Sequence, residues 1–244
     1  MKKFGFTLAE VLITLAILGV VAAIAVPALM TNIHNQANAS KLSSVVTDLE
    51  NAFGMMIVDD DDANDLTDID FYNGVHWQTS NDIQTELGRY LKIVSCNAGL
   101  GNYYGDGSMH NIDGSDAAPE IGATCQLKNG AFLLFIGGIS NANEAVAQAL
   151  GINVVRGKRL LIDVNGADKP NRYGRDIFSF FVDENGSLDP FGGRIAAVLR
   201  INDATQIWSD PDTADNDFIC TDANKGNGLG CTARLIENNY RVDY

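Results

Sequence analysis

Phe4-Gly5-Phe6-Thr7-Leu8-Ala9-Glu10, followed by the uncharged run from Val11 to Met30, decides the architecture of this chain. Lys2 and Lys3 stand ahead of it, so the order is a basic tip, a glycine, and an apolar helix with one acid near its start. About 20 apolar residues suffice to cross the hydrocarbon core of a bilayer as a helix. Lysines before the run, with no positive charge just after it, hold the N-terminus in the cytoplasm and place everything beyond Met30 outside the cytoplasmic membrane. A secretory signal peptide has an apolar core of about 7–15 residues ending in a small-x-small cleavage site. Here the run is longer, and Ala22-Ala23 lies inside it. A plain membrane anchor accounts for the length and the lysines but not for Glu10. A carboxylate in an apolar segment costs about 2.5–3.5 kcal/mol on insertion scales, and such residues usually have a partner. After Lys3 the same helix offers no basic residue within reach, so the partner is expected from elsewhere.

The segment Gly5-Phe6-Thr7-Leu8-Ala9-Glu10 resembles the N-terminus of type IV pilins and of the pseudopilins of type II secretion. Pro27 also falls where that family has a helix-kinking proline. The resemblance implies that a membrane prepilin peptidase cuts between Gly5 and Phe6 and methylates the new N-terminus at Phe6. Residues 1–5 are then a leader, 6–58 a stem helix whose part 6–30 lies in the membrane or filament core, and 59–244 a periplasmic or extracellular globular domain. The fold implied is α+β and pilin-like: a long hydrophobic stem helix packed on a C-terminal antiparallel β-sheet domain. Implied partners are homologous pilin or pseudopilin subunits, the prepilin peptidase/methyltransferase, an inner-membrane assembly platform and membrane lipid. Glu10 and Pro27 become assembly residues. The chemistry is consistent from below. Cleavage removes Lys2 and Lys3 and exposes an α-amine on Phe6 that is cationic at neutral pH. In a filament that amine approaches Glu10 of a neighbour; in apolar surroundings each charge is costly alone and strongly attracted to the other.

The formal net charge of −14 becomes −16 once Lys2 and Lys3 are removed. Such acidity argues against a broad phosphate-binding surface, which relies on Lys and Arg, and no nucleic acid is expected as a partner. It fits a solvated acidic surface that keeps an exported domain soluble. The residues after Val58 are ample for one globular domain.

The four cysteines, Cys96, Cys125, Cys220 and Cys231, form an even set in an exported chain, which favours disulfides over free thiols and allows three connectivities. The sequence-local pairs Cys96–Cys125 and Cys220–Cys231 are preferred. Zinc is the rival, but no gap is a CxxC, and His34, His76 and His110 do not fall at zinc-finger spacing.

Beyond the membrane, Ile33, Ala37, Leu42, Val45, Val46, Leu49, Phe53 and Ile57 recur mostly at three- and four-residue steps, the stripe of an amphipathic helix. A continuous helix from Phe6 to Val58 is roughly 80 Å long at 1.5 Å per residue, and Pro27 is expected to kink it. Asp59-Asp60-Asp61-Asp62 opposes the helix dipole and ends it in an acidic loop. Asp82 to Leu91 reads as a short helix with Ile83, Leu87 and Leu91 on one side, and Asn97 to Ala118 as a long irregular loop that a Cys96–Cys125 bond closes at its base. Ala131–Ile136, Arg159–Val164 and Asp176–Val182 read as strands. Asn143–Leu150 reads as a short helix, and Ala233–Asn238 as a last short helix or strand.

Asp163-Val164-Asn165-Gly166, then Lys169-Pro170-Asn171, Gly174 and Asp176-Ile177-Phe178, is a second and looser resemblance, to the strand-loop-strand stretch of pseudopilin-like proteins. Asp183-Glu184-Asn185-Gly186 repeats the D-x-N-G pattern, and Asn-Gly signals a hairpin turn because both residues tolerate positive φ. Asp163, Asn165 and Asp168 also make a weak calcium candidate, since some relatives bind that ion, but bidentate ligands at known spacing are missing and the turn reading is preferred. Lys225-Gly226-Asn227-Gly228-Leu229-Gly230, between Cys220 and Cys231, lacks the lysine-serine or lysine-threonine ending of a P-loop and reads as a stapled surface loop. No G-x-S-x-G elbow and no H-E-x-x-H helix occurs. The chain therefore reads as a substrate of processing chemistry rather than a catalyst: a pseudopilin first, with a type IV pilin for adhesion, motility or DNA uptake, or a membrane-anchored binding module, as alternatives.

Overall fold

The computed structural model describes residues 7–69, 72, 80–99, 109–117, 119, 121–138, 158–192, 220–221 and 225–244. Helix α1 spans Leu8–Asp59 as one element of 52 residues with Pro27 in its interior. Asp60, in extended conformation, caps it, and Asp65 then opens a 3-10 turn at Leu66–Asp68 by accepting from the Thr67 N–H at 2.7 Å. Helix α2 (Ser80–Glu86) runs into a second 3-10 turn, Leu87–Arg89, and buries Ile83, Leu87 and Leu91 as the apolar spacing requires.

The sheet is built from β1 (Ile93–Ala98), β4 (Ala123–Leu127), β5 (Phe132–Gly138), β6 (Lys158–Asp163), β7 (Ile177–Val182) and β8 (Leu188–Pro190). Its order is β1-β4-β5-β6-β7-β8, antiparallel throughout. A separate pair, β2 (Met109–His110) and β3 (Asp116–Ala117), closes around the Asn111–Ser115 turn. A short helix α3 (Cys231–Glu237) follows near the C-terminus. The layout is the expected α+β one.

The stem and the sheet share one core. Leu42, Val45, Val46, Leu49, Ala52 and Phe53 of α1 are buried in the same cluster as Leu133 and Phe135 of β5, Leu160 and Ile162 of β6, and Phe178, Phe180 and Val182 of β7. These sheet residues alternate, as one face of a strand must. Ile33 and Ala37, which the stripe includes, are exposed instead. Burial begins near Ala39 because the helix N-terminal to it projects beyond the domain. The intervening residues Leu134, Leu161, Ser179 and Phe181 are also buried, so the sheet is covered on both faces. On that second face the Arg159 guanidinium lies 4.6 Å from the Phe191 ring centroid, and its Nε donates to Ser179 Oγ at 3.2 Å. Helix α3 continues the edge where β8 ends: the Ser179 N–H donates to Thr232 Oγ1 at 2.9 Å.

Two turns dock the sheet on the stem. At one end Lys41 is half-buried near Asp163 and Asp168; burial lowers its pKa and the two carboxylates oppose that. At the other end Glu50 Oε1 accepts from the Leu188 N–H at 3.2 Å, and Gly186 lies against Phe53. The two contact points are about 18 Å apart along the helix, close to the roughly 20 Å length of β7. The stem therefore runs along β7. Gly186 has φ +80°, and a Cβ there would stand 2.6 Å from Phe53 Cβ. Gly186→Ala is expected to cost about 2–4 kcal/mol, from left-handed backbone strain plus displacement of a core ring. Urea unfolding of the purified chain checks it.

The structure departs from the sequence reading at several points. Asn97 and Ala98 belong to β1, and β2 and β3 lie within the stretch read as an irregular loop. The hairpin turn signalled by Asn185-Gly186 is present between β7 and β8, with the glycine alone at positive φ. The expected helix at Asn143–Leu150 lies outside the described residues.

Three tyrosines report on the core. Tyr72 Oη donates to the Val182 carbonyl at 2.7 Å and Tyr244 Oη to the Gly174 carbonyl at 2.9 Å, and burial pushes both pKa values, and that of Tyr240, above the ordinary phenol value. A phenol with a raised folded pKa contributes stability that is present below its unfolded value and lost as pH rises toward the folded one. Above about pH 10, phenolate absorbance is therefore expected to appear together with loss of the near-UV dichroism, in one cooperative step. Independent titration of these rings without unfolding would contradict it.

Candidate functional site

The N-terminal turn of α1 is organised by a capping box. Thr7 is the N-cap, with φ −79° and ψ 152°. Its Oγ1 accepts from the Glu10 N–H at 3.3 Å, while Glu10 Oε2 accepts from both the Thr7 N–H and the Thr7 hydroxyl at 2.8 Å. Thr/Ser-x-x-Glu before an apolar run is the sequence signature of this motif. Sequence reasoning passed over Thr7, although that spacing was legible. Thr7 supplies Glu10 with neutral donors and no positive charge, so among the described residues the carboxylate lacks a counter-ion, in keeping with the absence of a basic residue nearby on its own helix.

Leu8–Pro27, 20 residues, is apolar enough and long enough to cross a membrane, and it is not buried against the rest of the described residues. Leu12, Ile13, Leu18, Val20 and Ile24 are all more than half exposed, a large unsatisfied apolar surface that lipid or other helices must cover. Gly5 and Phe6 lie outside the described residues. Pro27 sits at the last residue of the apolar window.

The segment from Asp163 to Asp176 is a built turn. Asp163 Oδ1 accepts from the N–H groups of Asn165 at 3.1 Å and Gly166 at 3.0 Å. Asp176 is buried and accepts from the N–H groups of Asn171 at 2.8 Å and Arg172 at 2.6 Å; burial raises its pKa against the pull of these donors and of the Asn165 side chain. Of the residues considered for calcium, Asp163 is buried, Asn165 half-buried and Asp168 exposed.

The cysteines pair as Cys96–Cys125 and Cys220–Cys231. The first joins directly opposite residues of β1 and β4. The second ties residue 220 to the start of α3, whose Arg234 donates to the Cys220 carbonyl at 3.3 Å. Closing loops of 29 and 11 residues stabilises each by about 3–4 kcal/mol in the chain-entropy model. Cys96→Ser with Cys125→Ser is expected to lower the urea midpoint accordingly, with its m-value checked for two-state behaviour.

Residues 1–26 match the family model described as the prokaryotic N-terminal methylation motif, the signature of type IV pilins and pseudopilins. No curated protein and no solved structure matches the chain. The motif and the apolar helix together indicate a membrane-anchored, single-pass structural subunit rather than an enzyme. They imply processing by a prepilin peptidase and assembly with other pilin subunits.

Proposed function

We propose that this pilin-type chain is a subunit of a type IV pilus-like filament and, within that class, a pseudopilin of a type II secretion system. The observation that carries the reading is the methylation motif over residues 1–26, with Glu10 in the first turn of a segment, Leu8–Pro27, that is otherwise uncharged and uncovered. Cleavage falls between Gly5 and Phe6 and leaves N-methylated Phe6 as the first residue. The N-terminus faces the cytoplasm before cleavage, and the domain from residue 59 onward lies in the periplasm. In the filament the Phe6 ammonium of one copy meets Glu10 of its neighbour, taking it over from Thr7. The looser D-x-N-G stretch from Asp163 supports the pseudopilin branch over a surface pilus.

Mass spectrometry of the chain from membranes with an active prepilin peptidase is expected to give N-methyl-Phe6 as the N-terminus. A chain with its leader intact under those conditions overturns the reading. Shearing intact cells separates the branches: absence of the chain from long surface fibres supports a pseudopilin, and long fibres containing it support a pilus.

A further inference from the structure

Five Asn-Gly steps occur in the sequence, at Asn73, Asn129, Asn165, Asn185 and Asn227, and the last four lie in described turns. Asn-Gly is the step most prone to spontaneous deamidation. The glycine backbone nitrogen loses its proton and attacks the asparagine Cγ. A C–N bond forms, the bond to Nδ2 breaks, and ammonia departs. Water then opens the cyclic imide to aspartate or isoaspartate. Two structural features oppose this: a hydrogen bond that occupies the glycine N–H, and one that pins the asparagine amide so that it cannot swing onto that nitrogen.

The first guard is present at all four turns. The N–H of Gly130 donates to the Leu127 carbonyl at 2.9 Å, that of Gly186 to the Asp183 carbonyl at 3.1 Å, and that of Gly228 to the Lys225 carbonyl at 3.1 Å. The N–H of Gly166 donates to Asp163 Oδ1 at 3.0 Å. The second guard is present at three. Asn129 Oδ1 accepts from the Ala131 N–H and Asn227 Oδ1 from the Leu229 N–H, each at 3.0 Å. Asn165 Nδ2 donates to the Lys169 carbonyl at 3.5 Å. Asn185, exposed like Asn129, differs in its bonding: among the described residues its only hydrogen bond is through its backbone N–H, to Asp183 Oδ1.

We propose that Asn185 is a spontaneous modification site of the folded chain, the first of the four described Asn-Gly steps to deamidate, and that its conversion loosens the hold of the sheet on the stem. The turn it sits in is the one that docks there. Gly186 packs on Phe53, the Glu184 carbonyl accepts from the Leu66 N–H at 2.7 Å, and the Leu188 N–H reaches Glu50. Isoaspartate inserts an extra backbone carbon into this turn and adds a carboxylate beside Asp183 and Glu184. Like charges so placed repel.

The test is peptide mapping of the detergent-solubilised full chain after incubation in mildly alkaline buffer, with and without urea, by mass spectrometry that separates asparagine, aspartate and isoaspartate. Reaction through a transiently opened turn is slower by the opening equilibrium, so all four steps are expected to lose amide at least about tenfold more slowly in buffer than in urea. In buffer Asn185 is expected to lead. Asp183→Ala removes the carboxylate that organises the turn and is expected to accelerate loss at Asn185 alone. Asn185→Gln abolishes it there, and the modified fraction of the unaltered chain unfolds at lower urea. Earlier loss at Asn129, Asn165 or Asn227 in the folded chain, or equal rates for Asn185 in buffer and urea, overturns the proposal.

Discussion

Glu10→Ala is expected to yield a chain that inserts, loses its leader and is methylated, yet enters filaments at a small fraction of the normal level. The cleavage motif ahead of Phe6 is untouched, and removing a carboxylate from an apolar segment eases insertion by about 2.5–3.5 kcal/mol. Assembly is where the loss falls. Without Glu10 the ammonium of an incoming copy is left unpaired in an apolar setting, a penalty of several kcal/mol, and each 1.4 kcal/mol is about a factor of ten in an equilibrium. Quantitative immunoblots of assembled fractions check this, with membrane fractions as the control for insertion. The capping box sharpens the test. Thr7→Val removes the hydroxyl that donates to Glu10 Oε2 at 2.8 Å while leaving the charge in place. It costs the helix start about 1 kcal/mol and is expected to reduce assembly far less than Glu10→Ala. Equal assembly of Glu10→Ala and the unaltered chain would remove this role for the acid.

Phe53→Ala is expected to be the most destabilising single change in the globular domain, at about 3–5 kcal/mol. The ring is fully buried where the stem, the 3-10 turn at Leu66 and the Asp183–Gly186 turn converge. A domain of this size has only about 5–15 kcal/mol in total. Gly186 cannot fill the void, because its own Cα has no side chain to move in. Urea unfolding followed by near-UV dichroism should show a large drop in midpoint. Little change would mean that the stem contributes less to the domain core than its burial indicates.

The stem was legible because its two halves obey simple rules: an uncharged run long enough for a bilayer, then a stripe at helical steps ending at four aspartates. Strands β5, β6 and β7 were legible as compact apolar runs, yet the reason for their density was not. Leu134, Leu161 and Phe181 are apolar because a second layer covers their face, and nothing local in the chain announces that layer. Strands β1 and β4 were missed for a different reason. Ile93–Ala98 is an edge strand of mixed polarity with a register shift between Ile93 and Ser95. Its identity as a strand comes from pairing across to Cys125 rather than from its own periodicity. At the candidate site, Glu10 stood out as a cost, whereas Thr7 did not, since a hydroxyl next to an acid carries no such penalty.

The alignment of α1 with β7, fixed at Lys41 and again at Glu50 and Phe53, has a mechanical corollary. A tug along the rod cannot peel the domain away from one end, as it could if a single point joined them. It must slide an entire seam at once, so tension is shared among many side chains rather than concentrated on the weakest. A polymer whose rods are gripped in this manner transmits pulling and pushing between its base and its outward-facing lobes without shedding them.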